Sequence, residues 1–140
     1  MNKFRILIAD DNDLIRKFLA QLIQESGGIE IIGEASDGCA AVEMTKQLIP
    51  DAVLMDVNMP HMDGIQASRA IHSEFPTIQV IGLSMLDKSE IGREMSEAGA
   101  VTCFCKNDPW DEIIAGIHQV LGCESAADHS NGGSGSSMQS

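Results

Sequence analysis

The chain is short of positive charge. Over 140 residues, 9 Lys and Arg stand against 21 Asp and Glu, a formal net charge of -12. So acidic a protein repels phosphate backbones and anionic headgroups, which argues against direct binding to nucleic acid or a membrane surface and suits a divalent cation or a basic partner. Long apolar runs are also missing: nothing approaches the ~18 residues a membrane span needs, and the first residues carry no secretory signal pattern. Cys39, Cys103, Cys105 and Cys123 have neither zinc-finger nor Cys-x-x-Cys spacing. Cys103 and Cys105 flank Phe104 in an expected strand and so share one face; buried, reduced thiols and a cytoplasmic home are expected. Tyrosine is absent altogether. What remains, 44% hydrophobic and 21% charged, is the composition of one soluble globular domain.

The rest of the chain is organised around Ala52 to Gly64. Ala52, Val53, Leu54 and Met55 form an unbroken apolar run, the mark of a strand buried on both faces of a parallel sheet. The run ends in Asp56, and Asn58, Pro60 and Gly64 supply turn chemistry. Asp56 therefore stands at the carboxyl end of a central strand, the edge at which open α/β sheets bind ligands. Taken alone, an Asp after a strand more often caps the next turn or helix.

Strand and helix alternate five times. Phe4 to Ala9 reads as a strand. Leu14, Ile15, Phe18, Leu19, Leu22 and Ile23 then recur at helical spacing, with Asn12 or Asp11 as N-cap and Gly27-Gly28 as the stop. Ile29 to Ala35 is a second strand, Asp37-Gly38 a turn, and Ala40 to Leu48 a helix ended by Pro50. After the Ala52 strand come a helix over Ile65 to Phe75 and a strand over Ile78 to Leu83. A helix over Ser89 to Ala98 follows, then a strand over Val101 to Cys105. Asp108-Pro109 opens a last helix, with proline at its first position and Ile113, Ile114, Ile117, Val120 and Leu121 as its buried stripe. Such alternation predicts an α/β fold with right-handed crossovers and five parallel strands with five helices; the order 2-1-3-4-5, that of the flavodoxin-like doubly wound sheet, is expected and is also what the family resemblance described below implies. Residues 1–123 form that domain. Residues 124–140, rich in Ser and Gly, are expected to be a flexible tail.

The strands deliver chemistry to one edge: Asp10 and Asp11 from the first, Asp56 from the third, Ser84 from the fourth, Lys106 from the fifth. These five side chains are expected to converge on one hollow. Three clustered carboxylates repel one another and call for a hard divalent cation. A carboxylate beside that metal can attack phosphorus, while an ammonium and a hydroxyl neutralise phosphoryl oxygens.

With these residues in hand, the chain resembles the receiver domain of two-component response regulators from about Lys3 to Leu121. The motifs are Asp10-Asp11 after Ile-Leu-Ile-Ala, Asp56 to Gly64, Ser84, and Lys106 after Ala98 to Cys105. The resemblance implies that Asp56 accepts a phosphoryl group from a phosphohistidine on a sensor histidine kinase or phosphotransfer protein. It further implies that Asp11, Asp56 and the Asn58 backbone carbonyl bind Mg²⁺, that Asp10 helps through water, and that Ser84 and Lys106 contact the phosphoryl oxygens. Asn58 and Leu86 would tune the phosphate lifetime. Such a domain catalyses only its own phosphorylation and dephosphorylation, switches output through the loop after Ser84, the fourth helix and the fifth strand, and can dimerise on phosphorylation. The Leu83-Ser84-Met85 and Ala98-Gly99-Ala100 stretches are most similar to receivers that precede helix-turn-helix domains; no such effector domain follows in this chain.

Two positions depart from the family pattern. Cys103 stands where an aromatic is usual, and Asn107 stands where proline often follows the lysine, so the output switch is expected to differ from the common one. Two other readings compete with the receiver. A haloacid-dehalogenase-type phosphatase would use Asp11-Asn12-Asp13 but needs a late acidic pair that is not found. A degenerate receiver, acting only as an interaction module, is opposed by intact Asp10, Asp11, Asp56, Ser84 and Lys106.

Overall fold

Each short apolar run becomes a strand, and each amphipathic stretch after it returns the chain to the same sheet edge. The computed structural model describes residues 3–59, 61–85 and 88–122. Pro60, Leu86, Cys123 and the expected tail at 124–140 lie outside the described residues. In chain order the elements are β1 (Phe4–Ala9), α1 (Asp13–Glu25), β2 (Ile29–Ala35), α2 (Gly38–Leu48), β3 (Ala52–Asp56), α3 (Gly64–Glu74), β4 (Gln79–Ser84), α4 (Lys88–Glu97), β5 (Ala100–Cys105) and α5 (Trp110–Leu121). The five strands are parallel, as the alternation predicts, and lie in the expected order β2-β1-β3-β4-β5.

Successive strand residues feed two cores. Leu7, Val53, Met55 and Val80 pack with Ala41 of α2, Ala67 and Ile71 of α3, and Met95 of α4. Ile6, Ile8, Leu54, Ile81 and Leu83 pack with Leu19 and Ile23 of α1 and Ile113 and Ile117 of α5. All five residues of β3 are buried, so the strand that ends in Asp56 is clamped from both sides. Each fully buried Leu or Ile contributes about 1.5–3 kcal/mol against exposure.

Two β-bulges decide which side chains face which core. In the β1–β2 pair, Ile6 partners Ile31 but Leu7 partners Gly33, so Ile32 is an extra residue on β2. Beyond it the parity reverses: Ala35 joins the core under α2, and Glu34 turns to the α1 face. In the β4–β5 pair, Val80 partners Ala100 but Ile81 partners Thr102, which leaves Val101 as the extra, exposed residue. Ala100 and Cys103 then face the same core although three positions apart. Without that bulge Lys106 would be carried to the wrong side of the sheet.

Some boundaries and faces depart from the sequence reading. The Asp37-Gly38 turn is the start of α2: Asp37 is the N-cap, its side chain accepting from Ala40 N–H, and Gly38 is the first helical residue. Pro109 is the N-cap of α5, one position before the helix. Of the stripe expected to be buried on α1, Leu14 is 76% and Phe18 46% exposed, while Arg16 is buried instead. The apolar arc of α1 is wider than the sheet surface it covers.

Candidate functional site

The residues that cap the helices are not the carboxylates singled out by position. Asn12 caps α1 by accepting from Ile15 N–H at 3.0 Å, and Asp63 caps α3 by accepting from Gln66 N–H at 2.9 Å. Asp10, Asp11 and Asp56 are left with no helix to cap, at an edge where all five described helices begin. Close approach holds that edge together: a Cβ on Gly64 would lie 2.1 Å from the Asp56 carbonyl oxygen, and Gly64 N–H donates to Val57 O at 2.7 Å. Only glycine lets α3 start directly against the end of β3.

Asp10 follows β1, and its N–H continues the ladder to Ala35 O at 3.0 Å. Its carboxylate is fully buried; Oδ1 accepts from Asn12 N–H at 2.9 Å and Oδ2 accepts from the Lys106 ammonium at 2.7 Å. Lys106 Nζ lies 3.4 Å from Asp56 Oδ1, with its own side chain only 6% exposed. Asp56 is buried, and Asp11 is exposed at the mouth. Carboxylate oxygens of Asp10, Asp11 and Asp56 lie within 4.8 Å of one another, an all-oxygen donor set suited to a hard divalent cation. Asn12, Ile15, Asn58 and Met85 complete the lining of a hollow of about 390 Å³. Burial and the neighbouring Asp10 charge push the Asp56 carboxyl up to about 6, against the opposing pull of Lys106 and the Asn58 N–H.

Four of the five side chains expected at this edge line the hollow; Ser84 does not. It is wholly buried at the end of β4, and strand alternation puts it on the α3–α4 face with Val80, opposite Leu83 and Asp56. Its carbonyl accepts from Lys106 N–H at 2.8 Å, so Ser84 and Lys106 are joined through the backbone.

The sequence reading missed Arg16. Its guanidinium reaches the Asp10 carbonyl, Glu34 and Asp13. The available signal was its register: Arg16 falls on the same helix stripe as Leu19, Ala20 and Ile23. A second hollow, of about 480 Å³, lies at the opposite edge beside Lys3, Arg5, Glu30 and Asp51. Two of its polar groups are structural: Arg5 donates to the carbonyls of Leu48 and Ile49 at the end of α2, and Asp51 accepts from Arg5 N–H.

A family model described as the response regulator receiver domain matches residues 6–118. The transcriptional regulatory protein LnrK of Bacillus subtilis is 34% identical over 116 residues, 83% of this chain and 53% of LnrK. The solved signal receiver domain of NarL from Mycobacterium tuberculosis superposes with a TM-score of 0.81 at 33% identity, covering 87% of this chain and 98% of that one. A CheX–CheY complex with BeF₃ and Mg²⁺ from Borrelia burgdorferi contains a chain similar at TM-score 0.79 and 32% identity, covering 86% and 90%. The chain spans about half the length of the curated relatives it matches.

Proposed function

The chain belongs to the response regulator receiver domains of two-component signalling, and from that premise we propose that Asp56 is its phosphoacceptor, taking a phosphoryl group from a phosphohistidine of a sensor kinase or phosphotransfer protein. The observation that carries this reading is the three-carboxylate cluster with Lys106 inserted between Asp10 and Asp56 at 2.7 and 3.4 Å. In the transfer an Asp56 oxygen attacks phosphorus, and a P–O bond forms as the P–N bond breaks. The donor imidazole keeps the electron pair and recovers a proton from solvent. Lys106 is within reach of the incoming oxygens and balances their charge; the Ser84 hydroxyl completes that task after turning toward the hollow. Asp11, Asp56 and the Asn58 carbonyl, with Asp10 through water, would hold Mg²⁺, which when bound supplies charge neutralisation at the phosphoryl oxygens.

An apolar collar beside the hollow supports a protein donor. Ile15 lines the hollow, Leu14 and Phe18 extend the collar along α1, and the Phe18 ring meets Trp110 edge-on at 5.9 Å. A donor helix seated there would bring its phosphohistidine to Asp56. Output passes by protein contact through the loop after Ser84, α4 and β5, to an effector domain outside this chain or to a second copy. The excess of acidic over basic side chains argues against direct DNA binding by this chain. Among the described residues no helix is long and apolar enough to cross a membrane, and the thiols of Cys39, Cys103 and Cys105 suit the cytoplasm.

Incubation with Mg²⁺ and acetyl phosphate is expected to add one phosphoryl group, mapped to Asp56 and lost in Asp56→Asn. A phosphoryl group mapped elsewhere, or its persistence in that variant, refutes the assignment.

A further inference from the structure

We propose that Arg16 is a positioning residue for the metal-binding carboxylates: it fixes the peptide between Asp10 and Asp11 and so sets where Asp11 projects. The inference rests on the Mg²⁺-dependent reading of the site. Arg16 lies on α1 with its side chain 9% exposed, and its fork has three acceptors on three segments. Nη1 donates to the Asp10 carbonyl at 2.7 Å in a buried contact, Nε to Glu34 Oε1 on β2 at 2.9 Å, and Nη2 to Asp13 Oδ1 at 2.7 Å.

The Asp10 carbonyl belongs to the first peptide past the last β1 ladder position. Asp10's own carboxylate is pinned separately by Asn12 N–H and Lys106. Asp11 is exposed, so the direction of its carboxylate depends on the backbone beneath it. Holding the Asp10 carbonyl holds the plane that leads into Asp11, and hence the approach of its oxygens to those of Asp56.

Charge counting separates this role from that of Lys106. The guanidinium charge is already met by Glu34 and Asp13, both in ion-pair contact. Arg16 therefore acts on the site through geometry, whereas Lys106 acts as its counter-ion. Lysine could not substitute: one ammonium on a flexible stem does not reach three separated acceptors in a plane. Glu34 is available as an anchor only because the bulge at Ile32 turns it to the α1 face. The bulge, the buried arginine and the Asp10–Asp11 peptide thus form one continuous support, of the kind that orients ligands from behind.

The test is calorimetric titration with Mg²⁺ alone, on wild type, Arg16→Gln and Glu34→Gln, with each variant's fold checked by thermal unfolding followed by circular dichroism. Arg16→Gln is expected to weaken Mg²⁺ binding by roughly tenfold or more. Glu34→Gln is expected to weaken it less, in the same direction. At saturating Mg²⁺ the rate of labelling by acetyl phosphate is expected to recover most of the way in both, since Arg16 touches neither phosphorus nor Asp56. Wild-type Mg²⁺ affinity in a folded Arg16→Gln overturns the inference. Should that variant fail to fold, wild-type affinity in Glu34→Gln overturns it equally. A wild type that binds no Mg²⁺ instead overturns the functional reading on which the inference rests.

Discussion

The Lys106 ammonium donates to Oδ2 of Asp10 at 2.7 Å, between side chains 6% and 0% exposed. Lysine 106 is therefore more than a contact awaiting a phosphoryl group. Before any metal or phosphate arrives, it is the counter-ion of a buried carboxylate, and through its 3.4 Å approach to Asp56 it serves the second buried carboxylate too.

Replacing Lys106 by Met strands both buried carboxylates, a change of the kind that costs about 3–5 kcal/mol. Mg²⁺ should recover part of that loss, because it binds only the native site. Chemical denaturation at neutral pH, with and without Mg²⁺, is expected to show a destabilised variant whose response to Mg²⁺ exceeds that of wild type. Equal stability of the two metal-free proteins would contradict this role for the lysine.

Asp56 makes the metal-free protein sensitive to pH. Its carboxyl is pushed up from the ordinary 3.8 to about 6 by burial and by Asp10. Between those values the folded chain binds more protons than the unfolded one, so stability present below pH 3.8 is lost as pH rises through 6. The loss is on the order of 1–3 kcal/mol. Asp56→Asn removes this penalty. Denaturation in a chelator should find the variant more stable by that amount at pH near 7, and nearly equal to wild type near pH 4. A stability difference that did not change with pH would sink the prediction.

Gly64→Ala should disable the site from a distance. The added Cβ would sit 2.1 Å from Asp56 O and 2.8 Å from Val57 Cα, both backbone atoms that cannot swing aside. Either α3 withdraws or the end of β3 moves, at a cost on the order of 3 kcal/mol. Labelling by acetyl phosphate should fall together with stability. A variant with wild-type labelling and unfolding would show that the edge is looser than this packing requires.

Periodicity was enough for the layers because each strand is a dense apolar run and each helix repeats at its own spacing. The carboxyl-edge residues were legible for the same reason: in parallel strands the polar residue that ends an apolar run must sit at that edge. Three features were not legible. The bulges at Ile32 and Val101 leave no mark in a run of β-branched and small residues, although they decide that Glu34 and Lys106 face α1 and the hollow. Arg16 sits in a buried register where an apolar residue is the usual occupant, and its partners lie on other segments. Ser84 was expected in the hollow because its strand ends there, but being near an edge does not settle which face a side chain takes.

That orientation leads to the prediction about switching. Ser84 is buried and does not line the hollow, so contact with a phosphoryl group requires its side chain to turn toward it. The family resemblance implies an aromatic at the position of Cys103 that turns inward to fill the vacated space. Here that route is closed by size and by packing. Cys103 is 6% exposed, and a Cβ on Gly82 would lie 2.9 Å from both its Sγ and the terminal methyl of Met95. The space beside Gly82 is thus already filled by a thiol and a methionine, and the chain has no tyrosine to swing. The change must then run through Ser84, the exposed Met85 after it, and the segment leading into α4, driven by contacts that exist only when the phosphoryl group is present. With beryllofluoride and Mg²⁺ as the mimic, amide shifts should be largest over residues 84–90 and weaker at Cys103. Cys103→Ala should preserve that pattern and Ser84→Ala should erase it, while both bind the mimic at Asp56. A response abolished by Cys103→Ala and kept by Ser84→Ala would mean that the thiol, despite its small size, carries the switch.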